Sequence, residues 1–428
     1  DGGTGIDTAR FSSTNGFFNV SASGSGKVFV AAGVGGTAEI VTLNDVEYLD
    51  LQASAFYNTV TVGDLSGSDV TKVTVDFAGA NDFVAAHASG ANNTLTVTAA
   101  GTTINVAGLP TLFSVTHAET ADAVELHGAN GNDKLSGATL GAGRIYLGLY
   151  GDDGNDSLTG SVNGDVLDGG TGNDTVVGGR GNDSVLLGSG SDLFLWSVGD
   201  GSDTVDGGTD FDQLRVTGAA TDESFGIFDA AAGVLVQRVV GLDIAALEVT
   251  NVERLELRTL GGADSVRLDQ LAGTGLTTVV VDLAATAGGK TADAKVDTVS
   301  IGAHSTDDAY TVSMLGAKIV IGGLGGDVSI ASAGSTHILS ITRGRGNDVI
   351  DASALPAGKI TLELLGNSNN DTIKGSAGDD KVLEAGGNDQ MFLGAGNDVV
   401  DYRSGDGDDL LEGGAGIDSL ILSASSGS

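Results

Sequence analysis

The sequence predicts an all-β chain in which parallel β-roll blocks alternate with β-rich spacers. Three observations predict it. Aspartate closes a glycine-rich turn sixteen times, and the second residue after it is apolar every time. Between groups of these turns lie short alternating segments rich in β-branched residues, with almost no helical periodicity. The pattern then recurs at an offset of about 206 residues.

The cleanest run is Gly169-Gly170-Thr171-Gly172-Asn173-Asp174-Thr175-Val176, followed by Gly178-Gly179-Arg180-Gly181-Asn182-Asp183-Ser184-Val185. Asp156, Asp165, Asp174, Asp183 and Asp192 fall nine residues apart. The turn needs glycine, which alone tolerates positive φ at several positions without steric cost. The three residues that follow read as a strand whose middle side chain points inward. The inward set is Leu135, Leu158, Leu167, Val176, Val185, Phe194, Val205 and Leu214, then Ile350, Ile373, Val382, Met391, Val400, Leu411 and Leu420.

Two nonapeptides make one coil of about eighteen residues, so like turns stack. Asp156, Asp174 and Asp192 then form one column, and Asp165 and Asp183 a second. Stacked carboxylates repel unless a cation lies between them. Calcium suits the place, because it takes six to eight oxygens and bent glycine-rich backbone supplies carbonyls.

The G-G-x-G-x-D-x-U-x pattern resembles the RTX family of secreted bacterial calcium-binding proteins. The resemblance implies ions held between successive turns. The implied carboxylate ligands are Asp7, Asp133, Asp156, Asp165, Asp174, Asp183, Asp192, Asp203, Asp212, Asp348, Asp371, Asp380, Asp389, Asp398, Asp409 and Asp418. The implied carbonyl ligands are those of Gly128, Asn130, Gly169, Thr171, Gly178, Arg180, Gly394, Gly413 and Ala415. The turns ending at Asp165, Asp212 and Asp371 are degenerate and are expected to bind weakly or not at all.

The repeat organises the rest. Asp1-Gly2-Gly3-Thr4-Gly5-Ile6-Asp7 recurs as Asp206–Asp212 and as Glu412–Asp418. The expected organisation is a calcium turn at 1–7, a spacer at 8–122, a roll block at 123–212, a spacer at 213–338, a roll block at 339–420 and the start of a third module at 421–428. Pairing Asp183 with Asp398 and Asp203 with Asp409 leaves the second block one nonapeptide short, around Asp192. The spacers, with segments such as Thr94-Leu95-Thr96-Val97-Thr98 and Lys318-Ile319-Val320-Ile321, read as a calcium-free continuation of the solenoid or as sandwich-like domains. Residue 1 already lies within a turn motif, which reads as a segment of a longer protein or a processed form.

Composition narrows function. The chain has 428 residues, 70 glycines, no cysteine and a formal charge of −37. That charge argues against nucleic acid and anionic membranes as partners. Disulfides and thiolate metal sites are excluded, and no apolar stretch is long enough to span a membrane. Neither H-E-x-x-H nor G-x-S-x-G occurs. His87, His117, His127, His304 and His337 show no zinc spacing, and Trp196 reads as core or edge packing rather than a sugar or partner contact. The expectation is an extracellular or cell-surface, non-enzymatic structural protein of a filament, surface layer or adhesin stalk. Self-association or tandem continuation is expected, with a surface polysaccharide as a second partner. The rival readings are a carbohydrate-binding adhesin module and the carrier segment of a secreted enzyme.

Overall fold

A computed structural model of the chain describes residues 2–12, 16–23, 26–34, 37–53, 58–79, 81–292, 294–302, 306–342, 344–366, 369–383, 386–403 and 407–423. Every regular element among these residues is a β-strand. The chain forms two compact units, Asp1–Asp212 and Gln213–Ser428.

In the first unit the chain alternates between two sheets. One sheet stacks Phe17–Ala22, Thr59–Val62, Phe83–His87, Ala123–His127, Tyr146–Tyr150, Val166–Thr171, Ser184–Ser189 and Thr204–Thr209, each parallel to the next. The other begins with Thr8–Ser12, Tyr48–Gln52, Lys72–Asp76 and Leu112–Thr116 in parallel. It continues through Thr94–Ala100 into Lys134–Ser136, Ser157–Thr159, Thr175–Val177 and Leu193–Ser197. The solenoid therefore runs unbroken from spacer into block.

Two antiparallel excursions interrupt the parallel rule. Val28–Val34 and Thr37–Leu43 form a meander with Phe17–Ala22. Thr103–Ala107 lies antiparallel between Thr94–Ala100 and Leu112–Thr116. Such excursions explain why sequence spacing in the spacers does not show the coil length.

The second unit repeats the plan. Ser224–Ala230, Ser265–Leu268, Thr298–Ile301, Ile338–Thr342, Thr361–Leu365, Asp380–Leu383, Val399–Arg403 and Ser419–Ser423 stack in parallel. Gln213–Thr217, Arg254–Arg258, Thr278–Asp282 and Asp327–Ala331 begin its other sheet. Lys318–Gly322 lies antiparallel between Asp327–Ala331 and Ala309–Leu315. From Ala309–Leu315 the sheet runs in parallel to Val349–Asp351, Thr372–Lys374, Gln390–Phe392 and Leu410–Glu412.

Register brings the inward residues together. Leu135, Leu158, Val176 and Phe194 lie beside one another in one sheet, and Leu149, Leu167, Val185 and Val205 in the other. All eight are buried, each contributing about 1.5–3 kcal/mol by leaving water. Two expected core residues differ. Leu411 is half-buried and Leu420 is half-exposed, because they lie on the last coils, where fewer strands cover them.

Candidate metal centre

Each turn aspartate sits immediately before its strand, or for Asp380 as the strand's first residue, and this position repeats from coil to coil. One carboxylate oxygen accepts the backbone N–H of the equivalent residue in the preceding coil. In the first unit Asp133 N–H donates to Asp156 Oδ1 at 2.7 Å, Asp156 N–H to Asp174 Oδ1 at 2.7 Å, Asp174 N–H to Asp192 Oδ1 at 2.7 Å and Asp192 N–H to Asp212 Oδ1 at 2.9 Å. A second column joins Asp165, Asp183 and Asp203 in the same way, at 2.8 and 2.9 Å. The second unit joins Asp348, Asp371, Asp389 and Asp409, and separately Asp380, Asp398 and Asp418. Asp7 stands apart from the other expected ligands, with its N–H donating to Glu47 Oε2 at 2.7 Å.

The opposite oxygen faces inward. Oδ2 of Asp7, Asp133, Asp156, Asp174, Asp183, Asp192, Asp203, Asp398 and Asp409 is buried with no hydrogen-bond donor. Unpaired buried carboxylate oxygens are costly, so these nine call for a cation. Asp165 and Asp380 differ. Their Oδ2 atoms accept the N–H of Ser161 and Ser376, and their Oδ1 atoms accept the matching hydroxyls.

Backbone carbonyls complete the cradle. A Cβ on Gly169 would meet Asp174 Oδ2 and the Leu187 carbonyl of the next coil. At Gly172, with φ +117°, a Cβ would strike the Gly154 carbonyl of the coil before. Glycine is therefore required where carboxylate and carbonyl oxygens converge. Among the described residues no three Asp, Glu or His side chains gather at one point. A cation between turns would take its remaining oxygens from the backbone, and the hard, flexible shell of calcium fits that donor set.

The expected carbonyls fall into distinct places. That of Gly169 faces Gly151 beside Asp156 Oδ2, that of Gly178 faces Gly160 near Asp165 Oδ2, and that of Gly394 faces Gly414. Gly128 lends its carbonyl to the Asn93 amide. Gly413 places its Cα beside Asp418 Oδ2. The position-three residues lie in the inter-coil ladder instead. The Thr171 carbonyl accepts Gly154 N–H at 2.8 Å and the Ala415 carbonyl accepts Gly396 N–H at 2.9 Å. Asn130 bridges to Asp153, and Arg180 donates its N–H to the Ser161 carbonyl at 3.0 Å.

Burial and stacking push these carboxyls up. Loss of water, reinforced by the neighbouring carboxylates of its column, takes Asp183 to about 8 and Asp156 to about 7. Burial with the nearby carboxylates of Asp192 and Asp168 takes Asp174 to about 6, and burial with the nearby Asp200 carboxylate takes Asp203 to about 6. Asp165 reaches about 6 by burial, against two Ser161 hydrogen bonds that pull it down.

Three features were not legible from the glycine motif. First, asparagines one place earlier form a ladder of opposite sense. Asn132 Oδ1 accepts Asn155 N–H, Asn155 Oδ1 accepts Asn173 N–H and Asn173 Oδ1 accepts Ser191 N–H, at 2.7 to 3.0 Å. Each turn is thus tied backward by Asp and forward by Asn. Second, the carboxylate ladder reaches into the spacers, through Asp82 to Asp122 and through Glu223, Asp264 and Asp297. For the four aspartates the only sequence signal is the D-x-V spacing, as in Asp264-Ser265-Val266, without the full glycine turn, and Glu223-Ser224-Phe225 lacks even that. Third, the two blocks are out of phase. Asp203 precedes Thr204–Thr209, which pairs with Ser184–Ser189, the strand after Asp183, whereas its sequence partner Asp409 precedes Leu410–Glu412, which pairs with Gln390–Phe392 in the sheet opposite Val399–Arg403, the strand after Asp398. One missing nonapeptide is half a coil, so it moves each later aspartate to the other sheet.

The histidines part ways. His337 is fully buried and takes a ladder position, with Nδ1 accepting Asp297 N–H at 3.1 Å. His117 is exposed against Asp76. His87 stacks on His127, and His127 on Tyr150. His304 lies outside the described residues. Trp196 is buried, and its indole N–H donates to the Gly201 carbonyl at 3.1 Å.

A family model described as the RTX calcium-binding nonapeptide repeat (4 copies) matches residues 149–162, 159–194, 197–215, 365–400 and 403–424. No curated protein matches the chain. The matched residues are those that build the aspartate columns, apart from the turns of Asp7, Asp133 and Asp348. Residues 149–215 and 365–424 of the two blocks therefore carry RTX calcium-binding nonapeptide repeats, all-β rolls whose ion is calcium.

Proposed function

We propose that the chain is an extracellular structural segment, stiffened by calcium, of a filament, surface layer or adhesin stalk. The observation that carries this reading is the unbroken coil stack within each unit. Spacer and block share the same two sheets, so calcium binding in the block rigidifies one end of a continuous solenoid. Solenoid coils contact only their neighbours, which makes length easy to add and suits a load-bearing element. The ligands proposed are the sixteen turn aspartates together with the carbonyls that converge on them. RTX repeats are structural rather than catalytic, and we infer that this chain has no enzymatic activity of its own. Self-association through coil surfaces is part of the proposal.

Electron microscopy of the purified chain tests it. Ordered filaments or sheets in calcium that disperse in chelator are expected. Featureless monomeric particles at high concentration in calcium would remove self-association, and carbohydrate-array binding by those particles would favour the adhesin alternative.

A further inference from the structure

The turn at 88–93, Ala88-Ser89-Gly90-Ala91-Asn92-Asn93, lacks the glycine motif but belongs to the first calcium column. Strand Thr94–Ala100 pairs in parallel with Lys134–Ser136, Thr94 beside Lys134 and Leu95 beside Leu135. Both ladders pass through the turn. Asn93 N–H donates to Asp133 Oδ1 at 2.6 Å, as Asp133 N–H does to Asp156 Oδ1. Asn132 N–H donates to Asn92 Oδ1 at 2.9 Å, as Asn155 N–H does to Asn132 Oδ1. On its other side Thr94–Ala100 meets the antiparallel strand Thr103–Ala107, so the column stops here.

The residue in the aspartate position is therefore Asn93. Its Nδ2 lies against four oxygens: the Ser89 carbonyl at 2.8 Å, the Ala91 carbonyl, the Gly128 carbonyl at 3.4 Å and Asp133 Oδ1 at 3.2 Å. An amide nitrogen carries only two hydrogens. Two carbonyls of its own turn, one of the next coil and a carboxylate exceed what it can satisfy. That surplus of converging oxygens is what a calcium shell requires.

We propose that the Asn93 amide stands in for calcium at the end of this column, and so sets where the row of ions stops. Replacing it with a carboxylate creates one further calcium site, between the turns at 88–93 and 128–133. The inference rests on the calcium reading of the block. The parent chain, Asn93→Asp and Asn93→Ala are dialysed to equilibrium against calcium, and bound metal is counted by elemental analysis. Melting is followed in calcium and in chelator. Asn93→Asp should hold one more calcium per chain than the parent, and Asn93→Ala no more than the parent. In chelator Asn93→Asp should melt below the parent, because its new carboxylate faces Asp133, and calcium should restore it. An unchanged count in Asn93→Asp, an equal gain in Asn93→Ala, or an Asn93→Asp chain that stays unfolded in saturating calcium would each overturn the proposal. A parent chain that binds no calcium would instead sink the reading of the block itself.

Discussion

Asp174 and Asp183 each tie their own coil to the preceding one, since Oδ1 accepts that coil's N–H while the buried Oδ2 has no protein donor. Asp165 spends both oxygens on Ser161. Alanine at Asp174 or Asp183 should weaken calcium binding at the adjoining turns by at least about tenfold, ~1.4 kcal/mol, and Asp165→Ala should do less. Thermal melts in calcium that rank Asp165→Ala as the most damaging of the three would refute that ligand assignment. Acidity acts on the same residues. Their folded, calcium-free pKa values, about 6 for Asp174 and Asp203, about 7 for Asp156 and about 8 for Asp183, lie above the ordinary 3.8. A raised carboxyl favours the folded state while protonated, and that contribution fades as pH climbs through the folded value. In chelator, β-structure measured by circular dichroism should therefore grow as pH is lowered from about 8 to about 5. A signal that falls over that range would show the columns are not desolvated.

At the scale of the turn, two devices hold successive coils together, and they differ in how plainly they are written in the chain. The glycines are plain, because positive φ and close backbone approach leave no other residue a place. Gly172→Ala puts a Cβ into the Gly154 carbonyl at φ +117°, and should cost about 1–3 kcal/mol in denaturant melts in calcium. The asparagine ladder is not plain, since an Asn between Gly and Asp reads as an ordinary turn residue. Asn173→Ala should cost about 0.5–1.5 kcal/mol by freeing Ser191 N–H, in calcium and in chelator alike, because no ion is involved. A loss confined to calcium would make Asn173 a calcium-linked residue instead. The strands of the blocks were legible because their apolar residues keep a nine-residue beat. Those of the spacers were legible only as strands. Their coils are lengthened by meanders such as Val28–Val34 with Thr37–Leu43, so the coil period is lost to sequence although the ladder survives at Asp82, Asp264 and Asp297.

Across the whole chain, block and spacer meet the same electrostatic problem with different means. Both stack carboxylates before their strands. In the blocks the buried Oδ2 atoms of Asp133, Asp156, Asp174, Asp183, Asp192, Asp203, Asp398 and Asp409 find no protein donor. In the spacer of the second unit, Glu223 accepts the Ala219 N–H on one oxygen and the Arg238 guanidinium on the other, at 2.6 Å each, and both Glu223 and Arg238 are buried. Further along that ladder His337 replaces a carboxylate outright. The spacer of the second unit thus carries its own neutralising group at Glu223, which these block carboxylates lack, while Asp82 in the spacer of the first unit shares their undonated, buried Oδ2. Chelation should then unfold the blocks, roughly 128–212 and 344–418, and leave the spacer of the second unit folded, with magnesium a poor substitute for calcium because of its smaller octahedral shell. Hydrogen exchange read by mass spectrometry can follow both regions in one sample. Strand Val399–Arg403 should lose its protection in chelator while strand Arg254–Arg258 keeps it. Arg238→Ala supplies the converse, since it leaves Glu223 buried and unpaired at a cost of about 3–5 kcal/mol. It should expose the spacer at any calcium concentration, while the calcium-dependent protection of Val399–Arg403 persists. Equal loss of protection in both regions on chelation would mean that the spacers, too, fold only around the ion.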